Sequence, residues 1–511
     1  MLRVLTAAQM RQAEEAAEQR HGMPSALLME NAGRGLAEVA RKLAGPDGRF
    51  VVVCGPGNNG GDGLVAARFL LEGGARVSVT LVGDTAKLTP ESKRNLEALR
   101  GFGGSALALE SVEPPSTGDV VVDALFGTGL SRAPAGAFAE AISALHRWRR
   151  AGAKVVAADV PSGLRSDTGE PFSPCVEADA TVAFGFLKPG QVLEPGASLC
   201  GRVHRVDIGM GGAASRDITG AELFVVEEAD ARRTLPARKA DTHKGTYGHV
   251  LVVAGSRGKT GAAALVAKAA LRSGAGLVTV ATRSDALESV QSHSAEIMGI
   301  PLDGSGPLGL GDLDALLAAA EGKDALVMGP GIPRGPETGR LIGELLSRVE
   351  LPAVLDADAL NAVAEDLSVL RRAKGPVVLT PHPGEMARLT GRSTKEVQSH
   401  RLDLVGRLAA GLNATVVLKG DRTLTAHADG RVFINTTGNP GMATGGSGDV
   451  LSGVCGALLA QAFPLPDAIW TAVYTHGLAG DLAAARRGQL GLVAGDLIEQ
   501  GLCEVWLRWE R

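Results

Sequence analysis

Acidic residues follow several apolar or glycine-rich runs of this sequence, in positions where they could transfer protons. Asp123 ends the run VVVD, Asp159 follows VVAA, and Asp449 follows ATGGSG. Ligands of open α/β sheets bind beyond the carboxyl ends of strands, so the first two acids are expected to share one crevice. At a helix start, Asp449 could accept a hydroxyl proton while nearby amides surround a transferring phosphoryl group. The alternative for all three acids is a helix cap or turn former.

A glycine-rich stretch, CGPGNNGGDG at residues 54–63, follows the apolar run FVVV. We expect its glycines to allow positive φ and a close ligand, and a helix to begin near Asp62 or Gly63. Amides at that helix start would bind a phosphate or pyrophosphate. The spacing is not G-x-G-x-x-G, and G-K-[ST] is absent, so neither a standard dinucleotide fingerprint nor a P-loop is indicated. The alternative is a tight turn that Asp62 caps.

Other candidate contacts lie where further apolar runs end. Lys419 begins the tight turn KGDRT, which could hold a nucleotide, and the prolines of TPHPGE fix His382 in a rigid loop. Glu385 is either a ligand contact or a first-turn cap, and Gly329 and Gly331 permit close backbone approach. Lys188 could bind phosphate, but we interpret it as a solvated side chain.

Short β-branched runs alternate with Ala- and Leu-rich amphipathic stretches along the chain, which is typical of parallel sheets covered on both faces. The alternation stops in the glycine-rich and charged window GMGGAASRDITG…HKGTYG after residue 208 and resumes with HVLVVAGS. A domain boundary is expected within this window, with the second domain beginning near residue 222. The sequence therefore predicts two three-layer α/β/α domains, at 1–215 and 222–511.

Composition argues against several classes of protein. The net charge of -4 and the 3% aromatic content disfavour nucleic-acid binding. Five scattered cysteines without a C-x-x-C pair indicate neither a disulfide framework nor a zinc site, and favour a reducing cytoplasm. We also expect no secretory signal, because the first residues become charged and helical, and no membrane association, because charged residues interrupt the apolar stretches.

The first half resembles the NAD(P)HX epimerase family through LLMENAG, NNGGDG, DALFGTGL and DVPSGL. The resemblance implies a Rossmann-like fold and epimerisation, at C6, of hydrated reduced nicotinamide nucleotides. It implies that Asp159 touches the substrate, and inversion requires proton transfer, so Asp159 is the candidate acid/base. It also implies a potassium site at Asn59, Asp123 and Ser162. The implied dinucleotide-binding residues are Asn58, Asn59, Gly60, Gly61, Asp62, Gly127, Thr128, Gly129, Leu130, Ser131, Arg132 and Ala133.

One position departs from that family. Glu14 stands near the first helix, where the family usually has Asp. The departure leaves the role of this position open.

The second half resembles the ribokinase-like superfamily, specifically its ADP- or ATP-dependent NAD(P)HX dehydratases. HKGTYGHVLVVAGS, DADALN, TPHPGEM and GNPGMATGGSGDVLSG carry this resemblance. It implies that Asp449 is catalytic and that the hydrated nucleotide contacts Ala262, Gly331, His382 and Asp449. It further implies a set of contacts to the phosphate donor: Lys419, Gly420, Asp421, Arg422, Thr423 and Gly448.

Together the two resemblances imply a nicotinamide nucleotide repair enzyme that uses ADP or ATP, with K⁺ in the first half and Mg²⁺ in the second. Its expected partners are the small molecules NADHX and NADPHX, and its expected assembly is a homo-oligomer. The alternative is a sugar or vitamin kinase, sharing GGSGD, fused to a nucleotide-binding module without catalysis.

Overall fold

The computed structural model describes residues 1–510 except 213, 215, 217, 236 and 237. The chain divides into two compact units, Leu2–Gly220 and Ala221 onward. Among the described residues, no helix combines the length and the apolar character needed to cross a membrane.

Parallel strands build the sheet of the first unit. The unit begins with the strand β1 Leu2–Val4, which is not part of this sheet. The strands of the sheet are β2 Phe50–Cys54, β3 Val77–Leu81, β4 Ala106–Leu107, β5 Val120–Ala124, β6 Lys154–Ala158, β7 Ala180–Phe184 and β8 Arg202–Val206. The sheet has the order β4-β3-β2-β5-β6-β7-β8, and its neighbouring strands are parallel. The helices are α1 Ala7–His21, α2 Ser25–Leu43, α3 Asn58–Glu72, α4 Pro90–Gly101, α5 Ala137–Arg150, α6 Pro189–Val192 and α7 Gly196–Cys200.

Alternate residues of β2 enter two separate cores in the first unit. Val52 packs in the core that contains residues of α2 and α3, whereas Val51 and Val53 pack in the core that contains α5. Side chains of a strand alternate between the faces of its sheet, so both faces are buried. This unit therefore has the predicted three layers.

The second unit has a larger, mixed sheet. Its strands are β9 Glu222–Val225, β10 His249–Val253, β11 Leu277–Arg283, β12 Met298–Leu302, β13 Ala325–Met328, β14 Ala353–Leu355, β15 Val377–Leu379, β16 Thr415–Leu418, β17 Leu424–Ala426 and β18 Arg431–Ile434. They lie in the order β9-β18-β17-β16-β15-β14-β13-β10-β11-β12. The pairs of β17 with β16 and β18 are antiparallel, and the other pairs in this order are parallel.

Helices pack on this sheet as well. They are α8 Glu228–Thr234, α9 Thr260–Arg272, α10 Ser284–Gln291, α11 Leu313–Ala320, α12 Thr338–Leu346, α13 Asp358–Val363, α14 Pro383–Thr390, α15 Thr394–Ser399, α16 Arg401–Leu412, α17 Ser447–Ala460, α18 Leu465–Arg487, α19 Ala494–Asp496 and α20 Cys503–Glu510. Val250 and Val327 share one core with α9, α17 and α18, while Leu251 and Leu326, on the opposite face, are also fully buried. The predicted class, two α/β layer domains, is confirmed.

Candidate active sites

Close packing accounts for four of the five glycines in the glycine-rich stretch of the first unit: Gly55, Gly60, Gly61 and Gly63. Helix α3 begins at Asn58, so the expected start near Asp62 or Gly63 is wrong, and NNGGDG forms the first turns of the helix. A Cβ on Gly60 would lie 1.9 Å from the Gly55 carbonyl oxygen, and one on Gly63 would lie 2.6 Å from the Ala124 Cβ. The expected positive φ is also wrong, because no glycine of this stretch takes the left-handed conformation.

A buried ion pair joins Asp159 and Lys188. Asp159 follows β6 with a φ of 61°. Its carboxylate accepts hydrogen bonds from the Lys188 ammonium and, at 3.1 Å, from the Phe184 amide. Lys188 also donates to the Phe184 carbonyl oxygen at 3.0 Å, and its side chain has no exposed surface. Our interpretation of Lys188 as a solvated side chain is therefore wrong, and this lysine belongs to the site.

Two further carboxyl groups interact electrostatically with this pair. Burial raises the pKa of Asp62 well above its ordinary value, and the charges of Asp159 and Glu14 raise it further, while Lys188 opposes them. Glu14 on α1 remains accessible to solvent, but desolvation by the surrounding protein and the charge of Asp159 raise its pKa as well. The site thus combines an ion-paired carboxylate with carboxyl groups that hold their protons more tightly than usual.

Asp123 and Ser162 are in direct contact in the first unit. Asp123 is fully buried, and its carboxylate accepts from the Ser162 amide at 2.8 Å and from the Ser162 hydroxyl at 2.6 Å. Burial raises the pKa of Asp123 to about 6, although these hydrogen bonds lower it in part. The Ser162 hydroxyl oxygen accepts from the Phe126 amide at 2.9 Å, which ties it to the start of the 127–133 loop.

Asn59 lies beside the same loop. A Cβ built on Gly127 would stand 3.2 Å from Asn59 Oδ1, and the Asn59 side-chain nitrogen is buried without a hydrogen-bond partner in the described part of the chain. The three predicted potassium ligands are therefore linked through Phe126 and Gly127. In the loop itself, Gly127, Thr128 and Leu130 are partly buried and the rest of the predicted set is exposed: Gly129, Ser131, Arg132 and Ala133.

In the second unit, Asp449 lies in the first turn of α17. The helix cap is Gly446, with a φ of 90°, so Asp449 is not the capping residue. Burial raises the pKa of Asp449 to about 7, with a further contribution from the charge of Asp356 and opposition from Lys419. A carboxyl group with this pKa can accept and release a proton near neutral pH.

Lys419 joins the end of β16 to the start of α17. Its ammonium lies 2.7 Å from Asp356 Oδ1 and 4.0 Å from Glu385 Oε2. A Cβ on Gly448 would stand 3.1 Å from Lys419 Nζ, so the absence of a side chain leaves room for the ammonium. Burial lowers the pKa of Lys419, but Asp356, Glu385 and Asp449 raise it more, so the net pKa is above its ordinary value. The site therefore places a charged ammonium beside the backbone that precedes Asp449.

His382 and Glu385 cap α14 reciprocally. His382 Nδ1 accepts from the Gly384 amide at 3.0 Å, and the Glu385 carboxylate accepts from the His382 amide at 2.8 Å. The capping alternative for Glu385 is thus observed, and its nearly buried carboxylate also faces Lys419. The His382 side chain is 51% exposed, which leaves its ring available to a ligand.

The turn after Lys419 is held by a residue that the motif search missed. Gly420 and Arg422 both have positive φ, and Arg401 donates to the carbonyl oxygens of Asp421 and Arg422 at 2.6 and 3.2 Å. The Thr423 hydroxyl closes the turn by donating to the Gly420 carbonyl oxygen at 2.8 Å.

Ala262 and Gly331 are neighbours at another part of the site. A Cβ on Gly331, which has a φ of 72°, would lie 3.2 Å from the Ala262 Cβ. One turn along α9, Leu265 is packed against Gly446, and a Cβ on Gly446 would stand 3.9 Å from Asp449 Oδ2. This chain of contacts links the predicted substrate residues of α9 to Asp449.

Comparison with known proteins gives matches to both halves. The family model described as NAD(P)H-hydrate dehydratase matches residues 250–501, and the one described as YjeF-related protein N-terminus matches residues 25–190. The bifunctional NAD(P)H-hydrate repair enzyme Nnr of Moorella thermoacetica is 44% identical, over 97% of this chain and 95% of its own length. The protein of the same name from Escherichia coli is 36% identical, over 92% and 87%.

A solved structure is similar to part of the chain. The ADP/ATP-dependent NAD(P)H-hydrate dehydratase from Bacillus subtilis, co-crystallized with ATP/Mg²⁺, is 34% identical and has a TM-score of 0.48. The match covers 55% of this chain and 97% of the Bacillus chain.

Proposed function

Because the chain belongs to the family of bifunctional NAD(P)H-hydrate repair enzymes, we propose that each of its units carries one of the two repair steps. The protein is an enzyme that epimerises hydrated NAD(P)H and dehydrates it back to NAD(P)H. We assign epimerisation of the R and S forms to residues 1–215, and dehydration of the S form, at the expense of ADP or ATP, to residues 222–511. The kinase alternative does not account for relatives that match nearly the whole chain under the repair name.

For the epimerase step, the pair of Asp159 and Lys188 supports a proton-transfer mechanism. C6 of the hydrated ring carries a hydroxyl and the ring nitrogen, so the C6–N bond can open to an aldehyde. Asp159 takes the hydroxyl proton, and a neighbouring protonated carboxyl group, for which Asp62 has the required raised pKa, supplies a proton to the nitrogen. Rotation and reclosure by the reverse transfers give the other epimer, with no net change in protons.

Potassium is the expected cation of the first unit, and the donor atoms fit it. Asn59 presents an amide beside Gly127, and Asp123 and Ser162 add a carboxylate and a hydroxyl. Such oxygen donors suit hard cations. We propose that these three residues hold K⁺ and that the ion fixes the loop that binds the dinucleotide.

For the dehydratase step, the observation that carries the proposal is the position of Asp449 beside Lys419 at the start of α17. Asp449 removes the proton of the C6 hydroxyl, and that oxygen attacks the terminal phosphorus of ADP or ATP, so that a phosphate ester forms at C6 while the bond from this phosphorus to the departing AMP or ADP breaks. Lys419 and the amides near Gly448 stabilise the charge on the transferred group. The lone pair of the ring nitrogen then expels phosphate, and the resulting iminium ion loses its C5 proton to the released phosphate or to water, which restores the dihydropyridine.

Other parts of the site have supporting roles in this proposal. The turn from Lys419 to Thr423 contacts the nucleotide, whereas Ala262, Gly331 and His382 contact the hydrated ring or its dinucleotide. Mg²⁺ would be held mainly by the nucleotide phosphates, whose charge it screens. A cytoplasmic location and a homo-oligomeric assembly stay predictions.

Separating the half-reactions tests the assignment. In Asp449→Ala, dehydration should fall by about two to four orders of magnitude, because a catalytic base is lost. Epimerisation, followed by chromatographic separation of the R and S forms, should continue at the wild-type rate. Near-normal dehydration by this variant would remove Asp449 from the catalytic role.

A further inference from the structure

Asp356 connects two parts of the dehydratase site. It follows β14, and only 1% of it is exposed. One carboxylate oxygen lies 2.7 Å from Lys419 Nζ, and the other accepts from the Ser452 hydroxyl at 2.8 Å. The Ser452 hydroxyl is farther from the Gly448 carbonyl oxygen, at 3.2 Å, so Asp356 is its closer acceptor. The two partners come from separate elements, the end of β16 and helix α17.

The backbone of Asp356 is fixed by its surroundings. Its amide donates to the Met328 carbonyl oxygen at 3.1 Å, and its own carbonyl oxygen accepts from Ala359 at 3.1 Å. Gly329 has a φ of 131°, and a Cβ there would lie 1.9 Å from the Asp356 carbonyl oxygen. The strand end therefore holds the carboxylate in one place.

Lys419 has a second carboxylate within reach, which makes its position depend on Asp356. Glu385 Oε2 stands 4.0 Å from Lys419 Nζ, farther than the 2.7 Å to Asp356. Without the charge of Asp356, the ammonium would be drawn toward Glu385. Since Gly448 lies against the present position of Lys419 Nζ, such a shift would move the ammonium relative to the start of α17.

We infer that Asp356 is a positioning residue for phosphoryl transfer, which holds Lys419 with one carboxylate oxygen and helix α17, through Ser452, with the other. This inference rests on the proposed dehydratase reaction. Asp356 does not itself touch the reacting atoms in this account. Asp356 affects turnover by holding Lys419 and helix α17, which carries Asp449.

The charge of Asp356 should also affect the ionisation of Asp449, which a pH profile can measure. Asp449 interacts with four charged groups: Asp356, Lys419, Asp358 and Glu385. After burial, Asp356 is the largest contribution that raises the pKa of Asp449, and Glu385 is the smallest of those named. Removing the charge of Asp356 should therefore move the pH at which Asp449 ionises to a lower value.

The test compares Asp356→Asn with Glu385→Gln and Ser452→Ala in the full chain, using hydrated NADH of S configuration and ATP. Asp356→Asn keeps an acceptor for Lys419 but removes the charge, so we expect kcat to fall about 10- to 100-fold. The acid limb of its pH profile should move to lower pH, and by more than in Glu385→Gln. Ser452→Ala should lower kcat without moving that limb, because a hydroxyl carries no charge.

Three outcomes would overturn the inference. These are an Asp356→Asn profile with an unmoved acid limb, a larger shift in Glu385→Gln, or wild-type turnover in Ser452→Ala. If Asp356→Asn does not fold, as judged by circular dichroism, the other two variants decide. Wild-type enzyme that leaves hydrated NADH unchanged would contradict the proposed function itself and is thereby distinguished from failure of the positioning role.

Discussion

Lys188 donates a hydrogen bond to the carboxylate of Asp159 although no part of the lysine side chain is exposed. A buried ammonium is costly unless it is paired, and here the pair is completed by the Phe184 carbonyl oxygen at 3.0 Å. The lysine therefore fixes the position of the residue to which we assign proton transfer.

Asp159→Asn should stop repair of one epimer only. The amide keeps the size of the side chain and an acceptor for the Phe184 amide, but it lacks the basicity of a carboxylate. Given a mixture of epimers and ATP, the variant should repair the S form at the wild-type rate and leave the R form to slow spontaneous inversion. Chromatography of the remaining epimers measures this, and wild-type consumption of both would exclude Asp159 as the catalytic group.

Lys188→Met should lose both epimerisation and stability. Removing one partner of a buried pair leaves an uncompensated charge, which costs about 3–5 kcal/mol in the free energy of unfolding. The matched control is Lys154→Met, because Lys154 is 53% exposed and its pair with Asp179 is expected to contribute little. Urea denaturation compares them, and equal stability of the two variants would contradict the structural role of Lys188.

Dehydration should depend on the ionised form of Asp449. Its pKa is raised to about 7, and a base must be unprotonated to act. The value of kcat/KM for S-hydrated NADH should therefore rise with pH, level off above about pH 7, and fall about tenfold per pH unit on the acid side. Initial rates at saturating ATP measure the profile, and constant kcat/KM across this range would argue against Asp449 as the base.

Removal of potassium should slow epimerisation. When tetramethylammonium replaces K⁺, the oxygen donors of Asn59, Asp123 and Ser162 would lose their cation, and the dinucleotide loop would lose its support. Ser162→Ala should reproduce part of this loss in K⁺ buffer. The control is Ser143→Ala, because Ser143 is exposed and its hydroxyl donates to the Ala139 carbonyl oxygen of its own helix at 2.8 Å. Epimerisation that is unaffected by the exchange would contradict the potassium site.

The apolar pattern of the sequence predicts the two α/β layer domains and places acids at strand ends. The contact of Asp123 with Ser162 is consistent with this pattern, because Asp123 lies near the end of β5 and Ser162 follows β6, its parallel neighbour. Asp356 fits the same pattern, since it is the first residue of the motif DADALN and directly follows the apolar strand β14. A position at the end of a strand thus helps to predict which side chains lie close together in the site.

Contacts between side chains that are far apart in the sequence could not be predicted from local patterns. Lys188 is paired with Asp159, 29 positions earlier and on the other side of strand β7, and local composition does not distinguish this lysine from a solvated one. The hydrogen bond from Arg401, at the start of α16, to the turn after Lys419 is likewise not visible in the local composition. The positive φ expected for the glycines of 54–63 was wrong because close packing of a helix and a flexible turn require the same residue type.

The most direct test of the repair function uses the full chain with hydrated NADH, a mixture of R and S epimers, and either ADP or ATP with Mg²⁺. The absorbance of reduced nicotinamide is followed with time, and phosphate and nucleotide products are measured in parallel. Absorbance should return until both epimers are consumed, with one phosphate released for each NADH formed. Unchanged hydrated NADH, or accumulation of a stable phosphorylated small molecule in its place, would contradict it.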